Sequence, residues 1–260
     1  MIFSYHHTPI YYNSQGNGPV LMLLHGFLES STMWDSLLPE ITKTYRVITF
    51  DFPGHGKTPS ISKVHGMELF AEITSALLAQ LGIAEATIIG HSMGGYVAMA
   101  MAEKYPGQIK KLILLNSTPA PDSQARIENR ERALALVPKA KDAFVGMAIT
   151  NLFNEASRIK FEKEISALKA EALTFPLEGI TAAIAGMKDR KDRTMVLKSF
   201  SKPKYMICGV HDPILPIDDC KKIAEQTKTE FFSVNGSHMN HIENTTEIVK
   251  ILHLIENKCI

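Results

Sequence analysis

Apolar and polar positions alternate along this chain between two spacings. Short apolar-rich runs recur at Val20-Leu21-Met22-Leu23-Leu24, Tyr45 to Phe50, Ala86-Thr87-Ile88-Ile89, Ile109 to Leu115, Lys204 to Cys208 and Glu230 to Val234. Runs of this length predict strands, and the unbroken one at 20–24 predicts a strand covered on both faces. Residues 9–13 predict another, set off by the turn residues Gln15-Gly16-Asn17-Gly18-Pro19. Between these runs the spacing turns helical. Leu69, Phe70, Ile73, Leu77, Leu78 and Leu81 mark a helix over 67–81 that stops at Gly82. Further helices are expected over 32–40, 95–102, 217–226 and from 245 to about 256.

From about Pro119 to Lys198 the strand signal disappears. Ala, Leu, Lys, Glu and Arg dominate there, with helical spacing in stretches such as 159–173 and expected breaks at Pro138, Pro176 and Gly179. The reading is an α/β fold: a mostly parallel central sheet with helices on both faces, right-handed crossovers, and a helical cap inserted before the last two strands. Residues 1–118 and 199–260 form the core in this reading, and 119–198 the cap.

The 260 residues suffice for one large domain with a single core. A net charge of +1 with 45% hydrophobic residues offers no basic footprint for nucleic acid, so the expected partner is a small, neutral or apolar molecule. Cys208, Cys220 and Cys259 are odd in number and lack C-x-x-C spacing, which argues against a disulfide framework and a structural zinc site. The N-terminus lacks the pattern of a signal peptide. No apolar run approaches the roughly 20 residues of a membrane span. A soluble, cytoplasmic protein is expected, with no membrane partner. No metal or organic cofactor is implied, because no ligand cluster has the spacing and no glycine-rich phosphate loop is present. Oligomeric state is not legible.

Chemistry concentrates at the strand exits, where an open parallel sheet binds ligands. Gly90-His91-Ser92-Met93-Gly94 places a serine at a strand-to-helix bend, where its hydroxyl can stand exposed above the sheet. A serine hydroxyl is a poor nucleophile near neutral pH, so it needs an imidazole to take its proton and a carboxylate to orient that imidazole. His238, beyond the last strand, supplies the base and Asp212, at the exit of the strand before it, the acid. The order Ser92, Asp212, His238 is that of the nucleophile-elbow hydrolases.

With these motifs the chain resembles the α/β-hydrolase fold superfamily, in its small capped serine-hydrolase form. The resemblance runs through His25-Gly26, the loop Asp51-Phe52-Pro53-Gly54-His55-Gly56, the 90–94 elbow, Gly209-Val210-His211-Asp212 and Ser237-His238 with Glu243 five residues on. It implies oxyanion-hole N–H groups at Phe27 and Met93, with His25 and Gly26 shaping the oxyanion loop. It also selects His238 over His241, and leaves His55 as scaffold. His91 is expected to pack sideways from the elbow. Asp218 and Asp219 are expected only to favour a helix dipole. Trp34 and Phe27 fit a substrate pocket or the core equally. The stretch 186–193 is similar to the cap end of esterase-like and enol-lactonase-like members, and fits a solvated charge cluster as well.

The resemblance implies a hydrolase of carboxylic esters, thioesters or lactones of a small, largely apolar substrate, acting through an acyl-enzyme on Ser92. Two alternatives stand beside it: a C–C bond hydrolase or menaquinone-pathway-type lyase or synthase using the same three residues, and a non-catalytic small-molecule binding protein of this fold.

Overall fold

The computed structural model describes residues 1–258, so Cys259 lies outside the described residues. Eight strands form one sheet: β1 Ile2–Tyr5, β2 Thr8–Gln15, β3 Val20–Leu24, β4 Arg46–Phe50, β5 Ala86–His91, β6 Ile109–Leu115, β7 Lys204–Gly209 and β8 Glu230–Val234. Their spatial order is β1-β2-β4-β3-β5-β6-β7-β8. β3 to β8 run parallel, and β1 and β2 close one edge antiparallel.

The unbroken apolar run of β3 is explained by where its side chains go. Met22 and Leu24 enter one core cluster with Ile48, Phe50 and Phe70, while Leu21 and Leu23 enter a second with Val47, Trp34 and Ile248. Successive strand residues point to opposite faces, so a sheet covered on both needs apolar residues at every position. The sequence reading missed β1. It has four residues, of which only Phe3 is buried, and it is joined to β2 by His6 and His7 in positive φ, without the Asn-Gly or Asp-Gly signature of such a turn.

The helices are α1 Leu38–Ile41, α2 Met67–Gln80, α3 Met93–Lys104, α4 Gln124–Leu136, α5 Lys141–Thr150, α6 Glu155–Lys160, α7 Glu162–Thr174, α8 Leu177–Lys188, α9 Thr194–Ser199, α10 Ile217–Thr227, α11 Asn240–Glu243 and α12 Thr245–Asn257. The single helix expected over 32–40 is two short pieces, a 3-10 turn at Ser31–Trp34 and then α1. Pro39 has no N–H to give to Asp35, so a continuous helix cannot pass through it.

Six helices, α4 to α9, separate β6 from β7, with no strand among them. Pro138 follows α4 and Pro176 precedes α8, but Gly179 is a correction. It lies inside α8, buried, where a Cβ would stand 2.5 Å from Gly54 Cα. Its missing side chain lets the helix backbone touch the loop after β4; it does not break the helix. Most of this segment packs around its own apolar cluster, including Val145, Phe153, Phe175 and Ile180, into which Leu28 and Met239 reach from the strand-exit loops.

Candidate active site

Ser92 ends β5 and begins α3 with φ 50° and ψ −113°, a strained conformation for a residue with a side chain. Gly90 and Gly94 make the bend possible. A Cβ at Gly94 would fall 2.1 Å from Leu24 O, and one at Gly90 2.3 Å from Gly94 O. Two bonds hold the elbow: Ser92 N–H donates to Leu115 O at 3.1 Å, and Ser117 Oγ–H donates to Ser92 O at 2.7 Å.

The three side chains singled out by the sequence meet. His238 Nε2 lies 2.9 Å from Ser92 Oγ, and His238 Nδ1 lies 2.8 Å from Asp212 Oδ2. An ionised carboxylate only accepts, so Nδ1 carries the proton and Nε2 is left to accept from the serine hydroxyl. Asp212 also takes the N–H groups of Ile214 and Leu215 on Oδ1, at 2.8 and 3.0 Å, and the Asn116 amide on Oδ2 at 2.9 Å. Burial alone would raise its carboxyl; His238 and then these hydrogen bonds hold it below the usual range. The loop carrying His238 is anchored by Glu243, which accepts from Ser237 N–H at 2.9 Å and from the hydroxyls of Ser237 and Ser157.

The loop after β3, where the sequence expects an oxyanion donor, is built by hydrogen bonds that bypass Phe27. His25 Nδ1–H donates to Gly26 O at 2.8 Å, and Phe52 N–H donates to His25 Nε2 at 2.9 Å. Burial pushes His25 below its ordinary value, in keeping with this neutral tautomer. Among the described residues no protein acceptor takes the N–H of Phe27 or of Met93. Both are therefore open to a ligand oxygen. His55 is buried and its ring hydrogen-bonds only the Pro53 carbonyl, and Trp34 is core. His241 is fully buried with neither ring nitrogen hydrogen-bonded, its Nε2 4.0 Å from Glu29 Oε1, and burial holds it down to about 3.

Sequence reading passed over Glu29. Its Oε2 accepts Gly26 N–H at 2.8 Å and His91 Nδ1–H at 3.0 Å, while His91 Nε2–H donates to His238 O at 3.0 Å. His91 thus faces an acceptor on each ring nitrogen, and both must bear hydrogen, which makes the ring a cation. Burial opposes that charge, yet Glu29 outweighs it and raises His91; in return, against the same burial, His91 holds Glu29 down to about 2. One buried ion pair therefore ties the loop after β3, the elbow and the loop carrying His238 together. Asn116 is the other side chain that the sequence does not announce: its amide donates to Asp212 Oδ2 and its oxygen accepts from Asn240 Nδ2 at 3.1 Å.

The stretch at 186–193 is half corrected. Asp189, Lys191 and Asp192 are exposed, but Arg190 and Arg193 are buried, on Asp122 and on Glu68 with Glu103 respectively. A cavity of about 440 Å³ opens over Ser92 and His238, walled by Phe27, Tyr96, Phe144, Leu152, Ile184 and Met187 among others. That volume falls within the range of small-molecule sites. Among the described residues no helix is long and apolar enough to cross a membrane.

Comparison with known proteins agrees with this fold. A family model for the alpha/beta hydrolase fold matches residues 19–157. A thermophilic esterase from Thermogutta terrifontis, solved with malate bound, superposes with a TM-score of 0.90 at 30% identity, over 95% of this chain and 92% of that one. An enol-lactonase from Burkholderia xenovorans superposes at 0.92 over 99% and 100% of the two chains; at 18% identity it speaks for the fold alone. In sequence, a 2-hydroxy-6-oxononadienedioate/2-hydroxy-6-oxononatrienedioate hydrolase of Burkholderia vietnamiensis is 29% identical over 80% of this chain and 76% of its own length.

Proposed function

The chain belongs to the α/β hydrolase fold family and is a hydrolase, and from that premise we propose that it cleaves a carboxylic ester, thioester or lactone through an acyl-enzyme on Ser92. The observation that carries this reading is the unbroken run of hydrogen bonds from Ser92 Oγ through His238 to Asp212 at the floor of the cavity. His238 Nε2 accepts the hydroxyl proton as Ser92 Oγ bonds to the substrate carbonyl carbon, and Asp212 stabilises the imidazolium that results. The negative charge that develops on the carbonyl oxygen is met by the N–H groups of Phe27 and Met93; losing one such donor typically costs about 10²–10³ in turnover. His238 then gives its proton to the leaving alcohol or thiol. A water molecule, deprotonated by the same nitrogen, attacks the acyl carbon, releases the acid and restores Ser92.

The substrate in this reading is a small molecule with a largely apolar body, enclosed by residues 119–198 acting as a cap over the 1–118 and 199–260 core. The likeness to the Thermogutta esterase, 30% identical over 95% of this chain, supports ester chemistry. Cytoplasmic residence is part of the same proposal.

Ser92→Ala removes the nucleophile and adds no bulk. It is expected to abolish hydrolysis of p-nitrophenyl butyrate while leaving the circular dichroism spectrum and thermal midpoint in place. Full activity in that variant would refute the assignment.

A further inference from the structure

The cavity over Ser92 has an apolar body and one cationic wall. Along α4, Arg126, Asn129, Arg130 and Ala133 recur at three- and four-residue spacing, share one helix face, and all line the cavity. Arg126 and Arg130 converge with Arg190 on a single carboxylate, Asp122, whose side chain is fully buried. Arg190 Nη1 stands 2.7 Å and Arg126 Nε 3.1 Å from Oδ1, while Arg130 Nε pairs with Oδ2.

Three guanidinium groups around one carboxylate leave two positive charges unmatched. Arg190 is buried and stacked on the Tyr96 ring, 4.0 Å from its centroid, and its Nη2 is bound to Ala120 O. It serves the wall and not the cavity. Arg126 and Arg130 meet Asp122 through Nε, so their terminal amino groups are left to other partners. Arg126 gives one of these a long bond to Ile214 O at 3.4 Å, and among the described residues those of Arg130 have no protein acceptor. The remaining acid on the cavity wall, Glu29, is matched by His91. A cationic fork facing a largely apolar, partly dehydrated space recognises a carboxylate better than any neutral group.

We propose that this wall selects substrates bearing a carboxylate besides the carbonyl attacked by Ser92. The apolar walls hold the chain between the two ends. The proposal rests on the serine-hydrolase reading above and replaces the neutral substrate that composition suggested with one whose apolar body carries an anionic terminus.

Two matched ester pairs test it and tell apart the two places the charge can sit. Monomethyl adipate against methyl hexanoate puts the carboxylate on the acyl side; 4-acetoxybutanoate against butyl acetate puts it on the alcohol side. Acid release is followed by pH-stat. In the wild-type protein at least one anionic ester is expected to exceed its neutral twin in kcat/KM, with a preference that weakens as salt is added. In R126Q/R130Q the ratio within that pair is expected to fall about tenfold or more, the scale of a lost charge-assisted hydrogen bond. Arg190 remains on Asp122 in this variant, so the buried acid keeps a partner; R126Q and R130Q alone give the same readout if the double variant does not fold. Preference for both neutral twins, a ratio unmoved by substitution and by salt, or turnover of none of the four esters overturns the proposal. Fluorophosphonate labelling of Ser92 in the same samples reports separately on the hydrolase reading, which survives any of those results if the label is taken up.

Discussion

Asp212 and Glu29 are both buried carboxylates beside a histidine, and they do opposite things to it. Asp212 faces a ring whose far nitrogen meets a hydroxyl that can donate, so His238 stays free to accept a proton. Glu29 faces a ring whose far nitrogen meets a carbonyl that can only accept, so His91 is held as a cation. Asp212→Asn turns an acceptor into a donor against Nδ1–H and favours the wrong tautomer; kcat is expected to drop by about 10⁴ in a folded protein, as in other triads. A fall of less than tenfold, measured on the same ester, would exclude Asp212 as the orienting acid. Glu29→Ala leaves the buried His91 charge without its partner, and unfolding in urea is expected to show a loss of about 3–5 kcal/mol. The sequence could point to Ser92, Asp212 and His238 because each stands at a strand exit in a recognisable order. It could not point to Glu29 or Asn116. Their partners His91 and Asp212 are 62 and 96 positions away, and no local pattern announces such a pairing.

At the scale of elements, α8 decides how the segment after β6 sits on the sheet. Gly179 and Gly186, two turns apart on one face, bring its backbone against Gly54 and His65, and His65 N–H donates to Ala182 O at 3.0 Å. Its apolar face is split between two clusters: Ala183 and Met187 join the main core, Ile180 and Ile184 the cluster above. The helix is thus seated through its own backbone, whereas α6 is more exposed, with Ile159 84% accessible. A Cβ at Gly186 would lie 1.8 Å from His65 O, with backbone on both sides of the contact. Gly186→Ala is therefore expected to cost about 1–3 kcal/mol, typical of overpacking, and to speed hydrogen exchange at the His65 amide; exchange unchanged from wild type would show that α8 is not seated through this contact. Alternating strands and helices were legible because each carries its own period over many residues. The role of Gly179 was not, since a glycine that breaks a helix and one that lets two backbones touch look alike until the partner loop is known.

At the scale of the whole molecule, buried histidines set how stability varies with pH. Burial holds His241 to about 3 and His65 to about 4, and pushes His55 well below its ordinary value. In all three the unfolded chain takes up a proton first. Their contribution is complete above the ordinary value near 6.5 and is lost as pH falls toward 4 and 3. Glu29, held at about 2, adds a loss from about 4.5 downward. His91 runs the other way: it gives stability that is fully present below about 6.5 and is lost as pH rises from there through its raised folded value. Urea midpoints are expected to decline below about pH 6.5. His241→Phe, which fills a similar volume beside Trp34 and His91 and takes up no proton, is expected to flatten that decline. An unaltered slope in this variant would show that His241 does not titrate with unfolding. The molecule as a whole is arranged to bring three distant side chains to one rim of the sheet, and that convergence is tested most directly by labelling the folded protein with a fluorophosphonate and locating the adduct by peptide mass mapping. One adduct, on Ser92 and nearly absent in His238→Ala, is the expected result; no label at Ser92, or labelling at the same rate without His238, would contradict it.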